Sequence, residues 1–173
     1  MIITYKDVLV SNGLPLNESI IQQLIKSRNI DDIQTYLNPP TPVSMNIADF
    51  GYEQEIKRSL EILTDVKHKN GTVVVYTDYD ADGITGGTIL WETLHLLGFK
   101  AMPYVPHRKH EGYGFSVKGI DAVREKYNPS LIISVDHGIA AAEKVTYAKS
   151  LNIPIIITDH HLKPEHIPTN DDR

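Results

Sequence analysis

The sequence predicts an α/β fold: a parallel sheet of at least four strands flanked by helices, with a small helical N-terminal appendage. Short, almost wholly apolar runs alternate with helical patterns of 12 to 14 residues from residue 72 onward. Three of these runs end directly in Asp or in Asp-His-His. Continuous apolar strands separated by helices are typical of βαβ units whose sheet is covered on both faces. A chain of 173 residues has room for one well-buried domain and a short appendage.

The appendage is predicted over residues 1–50. Apolar residues at helical spacing, beginning with Leu16, predict a first helix, and Asp31 is placed to open a short second one. The segment NPPTPV, Asn38–Val43, then ends the helical pattern and is interpreted as a linker.

Helices and strands alternate in the predicted main domain, residues 51–173. Its first helix ends at Asn70-Gly71, a pair that commonly closes helices. β-branched runs such as TVVVYT indicate strands. We predict helices over residues 52–69, 84–97, 116–127 and 139–151, and strands over residues 72–77, 100–105, 131–135 and 153–158.

Composition restricts the possible functions. The absence of cysteine excludes a disulfide framework, a thiolate nucleophile and a cysteine zinc site. The sequence has no Walker loop, Rossmann glycine fingerprint or G-x-S-x-G elbow, which counts against a nucleotide-triphosphatase, an oxidoreductase and an α/β-hydrolase. With no signal peptide and no apolar run of ~18 residues, we expect a soluble, cytoplasmic protein. The net charge of −5 disfavours a nucleic-acid partner, unless bound divalent ions offset the acidic residues.

Three aspartates alternate in the segment TDYDADG, directly after the first predicted strand. Two charges ~4 Å apart repel by roughly 4 kcal/mol at an effective dielectric of ~20, so a bound cation is one explanation. A solvated acidic turn is the other. An EF-hand loop would need a preceding helix and a Glu at its twelfth position, where Ile89 stands. The candidate ligands are Asp78, Asp80 and Asp82.

Two later strands end in similar residues. Asp136 follows LIISV, and Asp159, His160 and His161 follow PIIIT. Because open α/β sheets bind ligands at the carboxyl ends of their strands, we expect these side chains to meet in one crevice. Imidazole suits Mn, Fe, Co and Zn better than Mg or Ca, which shifts the predicted metal toward manganese.

The segment HRKHEGYGF, His107–Phe115, follows the second strand and combines basic, glycine and aromatic residues. It is interpreted either as a mobile surface loop or as a phosphate clamp. In a clamp, Arg108 offers a bidentate fork, and Gly112 and Gly114 allow close approach of the backbone. The residues interpreted as structural or surface groups are His68, His95, His166 and Trp91.

Together these motifs resemble the DHH phosphoesterase superfamily. DYDADG, R-x-x-E-G-Y-G, SVDHGI and TDHH occur in the order and spacing of that superfamily. Within it they are most similar to the RecJ family of single-strand-specific 5′-to-3′ exonucleases of DNA repair and recombination, from the YLNPP segment to about residue 165. The resemblance implies two-metal hydrolysis of phosphodiesters with two divalent ions, manganese or alternatively magnesium.

The resemblance also implies a role for each candidate site residue. The implied metal ligands are Asp78, Asp80, Asp136 and His160, with Asp82 ligating or orienting the loop. The implied catalytic residues are His161 and Arg108, which would face the scissile phosphate, and Asp159, which would support a histidine. Substrate would contact Arg108, Gly112, Tyr113 and Gly114. His137 stands where relatives more often carry a small or amide residue, and we favour a surface turn residue over an additional ligand.

The superfamily also has a further metal-binding aspartate and a substrate-binding domain, DHHA1, after the DHH motif. The resemblance therefore implies that the domain over residues 51–173 is incomplete at its C-terminus, since Asp171 and Asp172 lie too close to that motif. Three functions stay open: one half of an exonuclease, active or inactive; a phosphodiesterase for short oligonucleotides or cyclic dinucleotides; and a non-catalytic scaffold. The expected partners are single-stranded nucleic acid and replication or repair proteins, or the missing C-terminal half, with no membrane partner.

Overall fold

The computed structural model describes residues 16–112 and 114–168. Predictions that fall on residues 1–15, on Tyr113 or on residues 169–173 lie outside this part of the chain, and they include the substrate contact expected of Tyr113. The chain divides into two compact units, Met1–Glu53 and Gln54–Arg173. The predicted boundary between residues 50 and 51, and the incompleteness of the second domain, stay predictions.

The first unit contains short helical elements. They are α1 (Leu16–Ser27), α2 (Ile33–Leu37) and 3-10 turns at Pro42–Ser44 and Ile47–Phe50. Asp32, rather than the predicted Asp31, caps α2, because its Oδ1 accepts a hydrogen bond of 3.0 Å from the amide of Thr35.

From Glu53 onward helices and strands alternate as predicted. The helices are α3 (Glu53–His68), α4 (Ala81–Leu96), α5 (Arg108–Glu111), α6 (Val117–Tyr127) and α7 (Ala142–Ser150). The strands are β1 (Thr72–Thr77), β2 (Lys100–Tyr104), β3 (Leu131–Val135) and β4 (Ile155–Thr158). The sequence did not predict α5, and α7 begins three residues after the predicted Ile139. Within the described residues, each helix is too short or too polar to cross a membrane.

The four strands form one parallel sheet in the order β2-β1-β3-β4, which confirms the predicted α/β class. The chain leaves β1 toward β2 and then returns to the other side of β1 as β3, so the strand order reverses between β1 and β3. Thr77 pairs with Val135, and Val135 pairs with Thr158. The residues that follow these three strand ends therefore leave the sheet side by side, at the edge where open α/β sheets bind ligands.

Apolar side chains cover both faces of the sheet. On one face Val74, Tyr76 and Ile132 pack with buried residues of α6 and α7. On the other face Val73 and Leu131 pack with residues of α3 and α4. All six residues of β1 are buried, as expected for a central strand of a parallel sheet.

Two glycines bring α4 directly onto the end of β1. A Cβ atom on Gly87 would lie 1.9 Å from Cγ2 of Thr77, and one on Gly83 would lie 2.8 Å from the carbonyl oxygen of Asp78. Since neither position has room for a methyl group, glycine permits an approach that any other residue would prevent. This contact holds the first turn of α4 beside the residue that follows β1.

We expect Gly87→Ala to lower the free energy of unfolding by about 1–3 kcal/mol, because the added methyl group overpacks the contact with Thr77. Urea denaturation followed by circular dichroism measures the change. Gly86→Ala is the matched control, since its Cβ would meet only one atom, Cγ1 of Val135, at 3.2 Å. Equal losses for the two variants would contradict the packing described for Gly87.

Candidate metal centre

Asp78 follows β1 and is completely buried. Its amide donates to the carbonyl of Val135 at 3.2 Å, which continues the β1–β3 ladder by one residue. Its Oδ1 accepts a hydrogen bond of 2.7 Å from the amide of Tyr79, whereas Oδ2 has no hydrogen-bond partner among the described residues. A buried carboxylate oxygen without a partner is costly, and a cation bound at that oxygen would offset the cost.

Asp80 caps α4 rather than lying in a loop. Its Oδ1 accepts a hydrogen bond of 3.3 Å from the amide of Gly83. That bond favours the ionised carboxylate, but desolvation and the nearby Asp82 and Asp78 outweigh it and raise the pKa of Asp80 above its ordinary value. The pKa of Asp82 is lowered, chiefly because its carboxylate accepts a hydrogen bond from its own backbone amide. A hydrogen bond with Asp80 and the nearby His160 add to this effect. The two carboxyls thus compete for ionisation, which is typical of like charges that share a site.

Asp136 follows β3 in a left-handed backbone conformation, with a φ of 67°. Aspartate tolerates this region better than most residues do. The carboxylate is 6% exposed, and its Oδ1 lies 2.8 Å from Nε2 of His160. The same imidazole nitrogen lies 3.6 Å from Oδ2 of Asp82. His160 therefore sits between the first acidic motif and the end of β3.

Asp159 holds the second histidine of the DHH motif. Its Oδ1 accepts hydrogen bonds from the amide of His161 at 3.0 Å and lies 2.7 Å from Nδ1 of the same residue. Its Oδ2 accepts from the amide of Ile139 at 2.9 Å. Burial opposes ionisation, yet these hydrogen bonds keep the pKa of Asp159 below its ordinary value. The hydrogen bond to Asp159 and its negative charge raise the pKa of His161.

These side chains form two groups that can hold a metal ion. Within each group the ligand atoms lie within 4.8 Å of one another. The first group joins Asp78, Asp80 and Asp136, and the second joins Asp136, His160 and His161. Carboxylates combined with imidazoles suit manganese or another transition metal better than calcium. Because both groups contain Asp136, the arrangement is that of two adjacent sites sharing one carboxylate.

Arg108 lies on α5, beside the first acidic motif. Its guanidinium carbon is 5.1 Å from the centre of the Tyr79 ring, a cation–π contact. Glu111 holds α5 in place, since it accepts hydrogen bonds from the hydroxyl of Tyr104 at 2.5 Å and from the amide of His107 at 3.1 Å. The segment predicted as a mobile loop or a clamp is thus tied to β2. Tyr79 was not among the predicted site residues, although its place between two aspartates in the sequence marked it as a candidate.

Gly112 and Gly114 lie immediately after α5, and both have positive φ values, 93° and 63°. The carbonyl of Gly114 accepts a hydrogen bond of 3.4 Å from the hydroxyl of Tyr76. Apart from its chain neighbours, no described atom lies within 4 Å of the position that a Cβ on Gly112 would take.

His137 is buried, and the predicted surface position is wrong. It is 4% exposed, and its ring lies 5.1 Å from that of Tyr76 and 5.7 Å from that of Phe115, centre to centre. The positive φ values of Asp136 and Gly138 (67° and 116°) turn the chain sharply on either side of it, which directs the ring inward. Burial lowers the pKa of His137. Within the described part of the chain, neither ring nitrogen has a hydrogen-bond partner.

The residues interpreted as structural or surface groups lie outside both metal-binding groups. Trp91 donates from Nε1 to the carbonyl of Ala101 at 3.2 Å and stacks on His95. His68 and His166 are exposed.

The chain is similar to single-stranded-DNA-specific exonucleases RecJ of several bacteria. It is 37% identical over 124 residues to the Bacillus subtilis protein, an alignment that covers 70% of this chain and 16% of that protein. It is 28% identical over 178 aligned positions to the Haemophilus influenzae protein, covering 98% of this chain and 29% of that one. For the Escherichia coli protein the identity is 35% over 114 residues, covering 65% and 20%. This chain therefore spans less than a third of each of these relatives.

Two solved structures resemble the fold. One is exonuclease RecJ bound to manganese, with a TM-score of 0.55, 31% identity, and coverage of 63% of this chain and 29% of that one. The other is RecJ of Thermus thermophilus in complex with Mn²⁺, with a TM-score of 0.53, 26% identity, and coverage of 66% and 16%. Both of these proteins were solved with the metal that the carboxylate and imidazole groups of this chain suit.

The model of the DHH family N-terminal domain matches residues 72–172. This region begins at β1 and includes all four strands and both metal-binding groups. Because the match extends over more than half of the 173 residues, the chain belongs to the DHH family.

Proposed function

We propose that this chain is the metal-binding part of a RecJ-like 5′-to-3′ exonuclease that hydrolyses single-stranded DNA. One observation carries the proposal: carboxylates and imidazoles from three strand ends lie within 4.8 Å of one another in two groups that share Asp136. The names of the relatives support the substrate class. Since those relatives are more than three times as long, activity and substrate are both proposals for this chain. Replication or repair partners and a cytoplasmic location stay predictions.

The proposed metal ligands are Asp78, Asp80, Asp136 and His160. The donor set favours Mn²⁺ over Mg²⁺, because an imidazole, His160, accompanies the carboxylates. Oδ2 of Asp82 lies 3.6 Å from Nε2 of His160, so Asp82 either orients that imidazole or serves as a further metal ligand. When bound, divalent ions activate water and stabilise the negative charge that develops on a phosphate during hydrolysis.

His161 is proposed to carry a proton at the scissile phosphate. Its Nδ1 faces Asp159, which raises the pKa of His161 and favours the cationic imidazolium. The other nitrogen, Nε2, is then a donor for a phosphate oxygen. Asp159 also accepts hydrogen bonds from the backbone amides of His161 and Ile139. It therefore fixes the direction of the His161 ring as well as its charge.

Arg108 is proposed to bind phosphate beside His161. The guanidinium rests on Tyr79, between the two metal-binding aspartates of the first motif, and its planar fork can pair with two phosphate oxygens. Gly112 supports this role, because it is exposed beside Arg108 on α5. Gly114 is buried and its carbonyl accepts from the hydroxyl of Tyr76, so its contact with substrate stays a prediction. Tyr113, between them, is proposed to contact the substrate as well.

We expect Asp136→Asn to weaken manganese binding at least about tenfold at both sites, because this carboxylate belongs to both groups. Isothermal titration of the chain with MnCl₂ measures affinity and stoichiometry. Glu125→Gln removes an exposed carboxylate on α6, outside both groups, and serves as the control for net charge. Unchanged binding by Asp136→Asn would argue against a shared ligand.

We expect the chain to release mononucleotides from 5′-phosphorylated single strands when manganese is present, and His161→Ala to slow release by about 10²–10³-fold. That loss is typical when one preorganised donor to a developing charge is removed. His68→Ala, an exposed histidine at the end of α3, should retain the full rate. Should the wild-type chain bind manganese yet release no nucleotide, even when it is joined to the part of a RecJ relative that it does not span, the exonuclease proposal would be wrong and a scaffold would be favoured.

A further inference from the structure

A pocket of about 390 Å³ adjoins the metal centre, and the function proposed above assigns no ligand to it. This volume falls within the range of ~300–1,000 Å³ that is usual for small-ligand sites. The pocket is lined by Gly114, Phe115, residues 137–141, Lys144, Asp159, His161 and Leu162.

Flat and apolar groups dominate the walls. Phe115 and His137 stack with their ring centres 5.7 Å apart and an angle of 27° between planes, and both are at least nine-tenths buried. The turn over residues 138–141 is Gly-Ile-Ala-Ala, in which Gly138, Ala140 and Ala141 have small side chains or none. At the rim, Leu162 is 94% exposed, an unusual position for a large apolar side chain that nothing in the described residues covers.

The charges of the lining are already paired. Lys144 lies 3.2 Å from Glu143, and Asp159 is hydrogen-bonded to His161. Apart from His161, whose charge is proposed to face the phosphate at the metal centre, the lining offers one cation, Lys144, and no bidentate fork for a second phosphate. A neutral, flat group that is apolar on its faces and polar at its edges matches the walls better, and the Lys144 ammonium group is a donor for such an edge.

The pocket and the metal centre share a side chain. His161 lines the pocket and belongs to the group that contains Asp136 and His160. A phosphate bound beside His161 at the metal centre therefore lies next to the pocket opening, within the reach of the sugar that joins a phosphate to its base. No other class of neutral, flat group is tethered to a phosphate in this way in single-stranded DNA.

We propose that this pocket receives the unpaired base of the nucleotide whose phosphate lies at the metal centre. This base pocket rests on the proposed exonuclease function and adds the base as a part of the substrate that the chain recognises. A base in a recessed pocket has left its stack and its partner, so occupancy requires a single-stranded end. Recognition by stacking tolerates all four bases, because each has a π-face.

The test compares two ligands that differ only in the base. Calorimetry with manganese present measures the affinity of the chain for thymidine 5′-monophosphate and for 2-deoxyribose 5-phosphate. We expect the nucleotide to bind at least about fivefold more tightly, as stacking of one base predicts. Ala140→Phe, which fills the pocket from its exposed rim, should reduce this ratio to about one, whereas Ala140→Ser should preserve it.

The possible results separate a failure of the base pocket from a failure of the exonuclease proposal. Equal affinities of the wild-type chain for the two ligands would overturn the base pocket and leave the exonuclease proposal standing. An undiminished preference in a folded Ala140→Phe variant would also overturn it, since the base would then bind elsewhere. If neither ligand binds in the presence of manganese, both proposals are wrong. The wild-type comparison decides the matter even if Ala140→Phe does not fold.

Discussion

The metal centre depends on the register in which β1 pairs with β3. Thr77 lies opposite Val135, so Asp78 and Asp136 follow at the same level, at the point where the strand order reverses. Two buried carboxylates at that position repel each other, and the unpartnered Oδ2 of Asp78 adds the cost of a desolvated acceptor. The His160 imidazole, whose Nε2 lies 2.8 Å from Oδ1 of Asp136, pairs with one of these carboxylates, and a divalent ion bound at this edge would offset the remaining cost.

The neighbouring elements refine this arrangement. Glycines in α4 allow the helix to meet the end of β1, which places Asp80 at the helix start next to Asp78. The end of β4 contributes Asp159, whose two oxygens hold the loop at Ile139 and the ring of His161. The donors thus lie directly after strand ends or at the start of a helix, and backbone hydrogen bonds that extend the sheet hold Asp78 and Asp136 in place, as binding ions at fixed spacing requires. The base pocket follows from the same turn after β3, where small residues leave room beside His161.

Much of the fold and of the candidate metal centre could be predicted from the sequence. Buried parallel strands are continuous apolar runs, so their ends, and the Asp and His residues that follow them, could be located without coordinates. The inward direction of His137 could not, because it depends on the left-handed conformation of Asp136 and on packing against Tyr76 and Phe115. The helix over Arg108–Glu111 was missed for a similar reason: four residues carry little helical periodicity, and a tertiary hydrogen bond from Tyr104 stabilises it.

Anomalous diffraction from crystals grown with manganese chloride tests the central claim most directly, because it locates the ions without reference to activity. Two anomalous peaks are expected at the carboxyl edge of the sheet, both within bonding distance of Asp136, one beside Asp78 and Asp80 and the other beside His160. Peaks confined to other parts of the surface, or no peak at this edge at saturating manganese, would contradict a shared two-ion centre.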